Sequence, residues 1–124
     1  MQSKESPAAL RILLIEDEAA ISLMLESVLD QLGYDVVGPV SDLGSALALA
    51  DATTIDCGLL DVQLGADTVY ELAELLEARR IPFVFATGYE HIQKRFTDVP
   101  VVRKPFTETE IEGAILKALS GARI

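Results

Sequence analysis

The chain of 124 residues has one cysteine, Cys57, so no internal disulfide can form, and such a count fits a reducing compartment. It has one histidine, His91, and lacks the His and Cys ligands expected around zinc. No apolar run approaches the ~20 residues that span a bilayer. Met1 to Leu10 are polar and mixed, without the apolar stretch of a secretory leader. Basic residues are scarce too, 10 against 20 acidic, for a net charge of −10; Arg79-Arg80 and Lys94-Arg95 are isolated pairs. A surface of that sign repels phosphates, which argues against nucleic acid as a partner. Together these absences predict a cytoplasmic protein with no nucleic-acid or membrane partner.

Half of the residues are apolar and about a quarter charged, enough for one soluble domain with a sizeable core. The expected layout is a flexible tail over 1–9, a domain over 10–121 and a short tail over 122–124. Two patterns alternate along the domain. Arg11 to Ile15 is a compact apolar run suited to a strand buried on both faces. Over 19–32, Ile21, Leu25, Val28, Leu29 and Leu32 keep to one helical face, and Gly33 stops the helix. Val36-Val37 opens a second strand ending at Pro39. Ser41 or Asp42 then caps a helix carrying Leu43, Ala46, Leu47 and Ala50 on one side.

Residues 55–60 read as a third strand, with Asp61 the first charged residue after it. Residues 69–80 read as a helix, and 83–86 and 99–102 as further strands, the last interrupted by Pro100. Thr107 and Glu110 form a capping box ahead of the stripe Ile111, Ala114, Ile115, Ala118 and Leu119. No internal repeat, low-complexity segment or linker interrupts the series. Strands alternating with helices predict an α/β fold, a parallel sheet covered on both faces. Ligands of such sheets sit beyond the carboxyl ends of the strands, where strand order reverses.

The residues at those ends form a specific set. Glu16, Asp17 and Glu18 follow the first strand, Asp61 the third, Thr87 and Gly88 the fourth, and Arg103-Lys104-Pro105-Phe106 the fifth. Carboxylates packed this closely raise each other's pKa unless a cation offsets them. Oxygen-only ligands suit a hard ion such as Mg²⁺, which accepts phosphate oxygens among its remaining ligands. With a nearby lysine and a hydroxyl donor, the set suits phosphoryl transfer onto an Asp nucleophile.

The segments Leu14-Ile15-Glu16-Asp17-Glu18, Leu60-Asp61-Val62, Ala86-Thr87-Gly88 and Lys104-Pro105-Phe106 resemble, in order and placement, the signature of response-regulator receiver domains. The resemblance implies a flavodoxin-like five-stranded sheet of order 2-1-3-4-5. It implies Asp61 as phosphoacceptor, Mg²⁺ (or Mn²⁺) bound by Asp17, by Glu16 directly or through water, and by the backbone carbonyl of Gln63. Thr87 and Lys104 would each engage a phosphoryl oxygen, and the Lys104-Pro105 peptide would be cis. The donor would be a phosphohistidine on a sensor histidine kinase or histidine phosphotransfer protein. Phe85-Ala86-Thr87-Gly88-Tyr89 further resembles the motif of the FATGUY group, many of whose members are stand-alone and often serve general stress signalling. Lacking an output domain, the chain would signal through a downstream protein partner, with 99–119 as the recognition surface, or would act as a phosphate sink or relay.

Two departures stand out. Many receivers carry an aromatic three residues before the lysine, where this chain has Val101; Tyr89 is the nearby candidate gate or partner contact. The stretch 89–98 leaves room for only a short fourth helix anchored by Ile92 and Phe96, expected to be frayed or mobile and further ordered by phosphorylation or a partner.

Plainer readings stay open beside these. Glu16 and Asp17 can serve the dipole of the following helix, Lys104 can be a surface lysine, Thr87 an ordinary strand-end hydroxyl, and Arg103 a solvated or partner-facing residue. Cys57, Phe83 and Phe85 read as core, and His91 receives no role. An Asp-nucleophile phosphatase needs a second Asp two residues on, where Gln63 stands. A flavin carrier's phosphate would be repelled by Glu16-Asp17-Glu18.

Overall fold

The structure, a computed structural model, describes residues 8–88 and 91–121. Its elements run β1 (Arg11–Ile15), α1 (Ala19–Gln31), β2 (Asp35–Val40), α2 (Leu43–Ala52), β3 (Cys57–Leu60), β4 (Gln63–Leu64), β5 (Asp67–Thr68), α3 (Tyr70–Ala78), β6 (Phe83–Thr87), β7 (Val101–Arg103) and α4 (Glu108–Gly121). Five strands form one parallel sheet in the order β2-β1-β3-β6-β7. With the two-residue strands β4 and β5 set aside, this is the expected flavodoxin-like order.

Alternation along the strands divides the core between the two faces of the sheet. Leu13, Ile15, Leu60, Phe83 and Phe85 pack with Ala46 and Ala50 of α2 and with Leu72, Ala73 and Leu76 of α3. Ile12, Leu14, Cys57, Leu59, Val84 and Ala86 pack with Leu25 and Leu29 of α1 and with Ile111 and Ile115 of α4. Cys57 is thus core, and burial pushes its thiol up to about 12. Among the described residues no helix is long and apolar enough to cross a membrane.

Local chemistry explains where the elements begin and end. Asp42, not Ser41, caps α2, its carboxylate accepting from the Ser45 N–H at 2.8 Å. The capping box of α4 is formed, with Thr107 N–H donating to Glu110 Oε1 at 2.8 Å and Glu110 N–H to Thr107 Oγ1 at 3.2 Å. The third helix is shorter than the expected 69–80, because Val69 is its N-cap and Arg80 lies in the left-handed region at φ 59°. β7 begins at Val101 rather than 99. Pro100 has no N–H for a ladder, and its carbonyl accepts from Phe85 N–H at 3.0 Å. β2 runs past Pro39 to Val40, which an edge strand tolerates. Gly38, at φ 101°, is required there, since a Cβ would lie 3.0 Å from the Leu14 carbonyl oxygen.

Two features were not read from sequence. The β4–β5 hairpin has strands of two residues each, too short to show a period. The Gly38-Pro39 peptide is cis, as is the expected Lys104-Pro105. In place of a fourth helix, the described residues 91–98 hold a 3₁₀ turn at Lys94–Phe96, anchored by the fully packed Phe96. Tyr89, the tail readings for 1–7 and those for 122–124 lie outside the described residues.

β3 passes beneath α3 with no room to spare. A Cβ on Gly58 would meet Leu60 Cδ2 and Leu76 Cδ1 at 3.1 Å and Phe83 Cβ at 3.2 Å. Gly58→Ala is therefore expected to destabilise the fold by about 1–3 kcal/mol through overpacking. A lower urea midpoint at unchanged m-value is the readout.

Candidate functional site

Parallel strands that all end on one edge of the sheet deliver their next residues to one place. Asp61 follows β3 and is 4% exposed; its N–H donates to the Ile15 carbonyl at 2.9 Å, which ties it to the end of β1. Glu16, 2% exposed, follows β1 and has its N–H on the Val40 carbonyl of β2 at 3.1 Å. Its Oε2 accepts from the Glu18 N–H at 3.1 Å. Asp17 points across to the hairpin, its Oδ2 accepting from Gly65 N–H at 3.0 Å.

The cationic and hydroxyl partners come from the other two strands. Thr87, at the end of β6 and fully buried, donates through Oγ1 to Asp61 Oδ1 at 3.2 Å. Lys104 follows β7, and its N–H donates to the Thr87 carbonyl at 2.8 Å. Its Nζ lies 2.8 Å from Glu18 Oε1, 3.3 Å from Asp61 Oδ2 and 3.4 Å from Glu16 Oε2. A surface lysine does not hold three carboxylates with its side chain 18% exposed.

One ammonium does not balance the carboxylates gathered here. One oxygen from each of Glu16, Asp17, Glu18 and Asp61 lies within 4.8 Å of the others. Burial, with the shared hydrogen bond and charge of Asp61 adding to it, pushes the Glu16 carboxyl up to about 8 against the opposing pull of the Glu18 N–H and Lys104. Desolvation draws the Lys104 ammonium down, yet the hydrogen bond to Glu18 and the charges of Asp61 and Glu16 outweigh it and leave its pKa raised. Glu16 Oε1 is buried without a hydrogen-bond partner, its one counter-charge the Lys104 ammonium 3.4 Å away. A buried carboxylate oxygen lacking a hydrogen bond, among other oxygen donors, fits a hard divalent cation.

Glu16, Asp17, Asp61, Thr87 and Lys104 are brought together as the sequence placed them. Gln63 opens β4, and its side-chain amide is committed to the hairpin, donating to the carbonyls of Gly65 at 2.6 Å and Asp67 at 3.1 Å. That leaves its main-chain carbonyl for any role at the cation. Glu18 joins the acidic cluster, in keeping with its place among the strand-end carboxylates, although no individual role was expected of it. It is the N-cap residue of α1 yet makes no side-chain cap bond. Arg103 donates to the Gly88 carbonyl at 2.8 Å. Val101 is half-buried against the apolar cluster containing Phe85 and Phe96.

A doubly wound parallel sheet with an acidic cluster at the carboxyl ends of its strands defines a flavodoxin-like α/β domain. Within that class, the chain belongs to the response regulator receiver domain family, whose model matches residues 12–116. Phosphorylation and Mg²⁺ binding are features of this family. The solution structure of SdrG from Sphingomonas melonis Fr1 is 41% identical, covers 96% of this chain and 100% of that one, and has a TM-score of 0.79. Its BeF3-activated conformation, from Pseudomonas melonis Fr1, is 43% identical over 91% of this chain and 99% of that one, with a TM-score of 0.75. The transcriptional regulatory protein PdtaR of Mycobacterium tuberculosis is 30% identical over 91% of this chain and 58% of its own length. The phyllosphere-induced regulator PhyR of Methylorubrum extorquens is 29% identical over 90% of this chain and 44% of its own. The chain thus spans about half the length of these curated relatives.

The raised Glu16 carboxyl sets a sign for stability against pH. With its carboxyl held up at about 8 in the folded protein, Glu16 keeps a proton that the unfolded chain releases near the ordinary 4.5, so folding stability falls as pH rises from there to about 8. Glu16→Gln removes that burden. In cation-free buffer it is expected to be more stable than the parent by roughly 1–2 kcal/mol at pH 8 and near parity at pH 4. Urea unfolding at the two pH values checks this.

Proposed function

We propose that the protein is a response regulator that accepts a phosphoryl group from a phosphohistidine onto Asp61, in the presence of Mg²⁺, and signals through protein contacts. One observation carries the reading: the buried Asp61 carboxylate has a hydroxyl on one oxygen and an ammonium on the other, inside a four-carboxylate cluster. Asp17, Glu16, Asp61 and the Gln63 carbonyl would hold the cation. Mg²⁺, when bound, supplies positive charge against the phosphoryl oxygens.

The chain's own residues do the rest. An Asp61 oxygen attacks phosphorus, a P–O bond forms as the P–N bond breaks, and the departing imidazole nitrogen keeps the electron pair. Lys104 Nζ, already on Asp61 Oδ2, offsets charge spreading over the equatorial oxygens. Thr87 Oγ1 exchanges its carboxylate acceptor for a phosphoryl oxygen. Such a switch turns over nothing but its own acyl phosphate, so it is no enzyme in the usual sense.

The donor is a sensor histidine kinase or a histidine phosphotransfer protein, and the receiver of the signal is another protein. Nucleic acid is disfavoured by the net charge of −10. A free, fully buried thiol at Cys57 suits the cytoplasm.

Incubation with Mg²⁺ and a small phosphodonor such as acetyl phosphate is expected to add one phosphoryl group, seen by intact-protein mass. Asp61→Ala should take up none, and Lys104→Met at least about tenfold less, as loss of one charged contact to the transferred group implies. Uptake by Asp61→Ala at the parental level sinks the assignment.

A further inference from the structure

With valine at 101, β7 offers no aromatic to report the state of the site, and the aromatic side chains lie elsewhere. Phe83 and Phe85 alternate on β6, on the face that also carries Thr87 two residues on. Tyr70 is the first residue of α3 and is 8% exposed. Its ring stacks on Phe96, with centroids 5.5 Å apart and planes 8° apart, and meets Phe85 edge-on at 6.1 Å. Phe96 in turn meets Phe85 edge-on at 5.7 Å and Phe83 at 6.0 Å.

The Tyr70 hydroxyl spends its bonds on main chain. It donates to the His91 carbonyl at 3.2 Å and accepts from the Gln93 N–H at 3.2 Å. Arg95 adds a second tie from the same segment to the same helix, reaching Glu74 at 3.0 Å and Glu77 at 2.7 Å while lying 4.8 Å over the Phe96 ring. Those ion pairs are exposed and contribute little. The buried phenol is the tie that fixes geometry.

Both ends of this contact lead back to Asp61. Phe85 stands two residues before Thr87, whose hydroxyl is on Asp61. α3 follows the hairpin that Asp17 holds through Gly65, and Val69 N–H is on the Val62 carbonyl at 2.9 Å, one residue past Asp61. A shift of Thr87 toward a phosphoryl group displaces Phe85, and the ring against it is Tyr70. Packed aromatic contacts transmit such shifts because interiors have no slack.

We propose that Tyr70 is the readout residue of this domain. Its ring senses the Thr87 strand through Phe85, and its hydroxyl latches residues 91–93, so the placement of 91–96 depends on the state of Asp61. This rests on the phosphoacceptor reading above. Tyr70 here is a positioning residue; it touches none of the reacting groups.

The test is amide hydrogen exchange on the full chain, with and without Mg²⁺ and acetyl phosphate, phosphoryl content being measured by mass on the same samples. Tyr70→Phe keeps the ring and removes the latch. Gln93→Pro removes the N–H at a residue whose φ of −58° and ψ of 141° proline adopts. In the resting protein both variants should speed exchange at Phe96, Thr97 and Val99, whose N–H groups are bonded within the segment, by about threefold or more. In the parent, phosphorylation should change exchange at these amides by a similar factor. Tyr70→Phe should take up phosphate normally and lose most of that change. Unaltered resting exchange in both variants, or a parental response to phosphorylation in Tyr70→Phe, overturns the proposal. A parent that takes up no phosphoryl group overturns the phosphoacceptor reading instead, a failure that the resting-state comparison keeps separate.

Discussion

The Lys104 ammonium sits among carboxylates that would otherwise repel one another, 2.8 Å from Glu18, 3.3 Å from Asp61 and 3.4 Å from Glu16. Everything else at the carboxyl edge of the sheet follows from that imbalance of charge. One positive group cannot neutralise four negative ones held within 4.8 Å, so a carboxyl either keeps its proton or waits for a cation. Glu16, the most deeply buried of the four, carries the consequence, with its carboxyl pushed up to about 8 by burial first and by Asp61 next. The cluster carries more negative charge than Lys104 offsets. That excess is the kind a hard divalent cation neutralises, and the cation's charge in turn would admit the oxygens of a phosphoryl group.

The fold makes the arrangement hold. Asp61 and Glu16 are anchored by main-chain bonds to the ends of neighbouring strands, and Lys104 is anchored to the end of β6. Their side chains therefore inherit the stiffness of a sheet packed on both faces. Thr87 belongs to β6 itself, so any change in its partner acts on the strand, and through Phe85 on Tyr70 and Phe96. The absence of an aromatic at Val101 does not leave the site without a neighbour to move. It shifts that neighbour from the last strand to the start of α3.

Much of this was legible in the sequence, because parallel strands buried on both faces announce themselves as apolar runs and the site lies at their ends. Asp61, Glu16, Asp17, Thr87 and Lys104 could be placed by counting one or two residues past each run. Glu18 was visible but undistinguished, since nothing in a pattern tells which of three adjacent acids faces the pocket. Tyr70 was not legible at all. Its partners are the main-chain groups of His91 and Gln93, distant in sequence and carrying no side-chain signature. The β4–β5 hairpin escaped because two-residue strands have no period, and the boundaries of α3 and β7 were set by Arg80 and Pro100, where backbone geometry overrides side-chain pattern.

The charge imbalance itself is open to direct measurement. Urea unfolding at fixed ionic strength, with Mg²⁺ either chelated or near saturation, compares the parent with Asp17→Asn. Binding confined to the folded state should stabilise the parent by about 2.7 kcal/mol at a hundred times its dissociation constant, and Asp17→Asn should lose most of that gain. A parent indifferent to Mg²⁺, or an Asp17→Asn protein stabilised as much as the parent, would contradict the account.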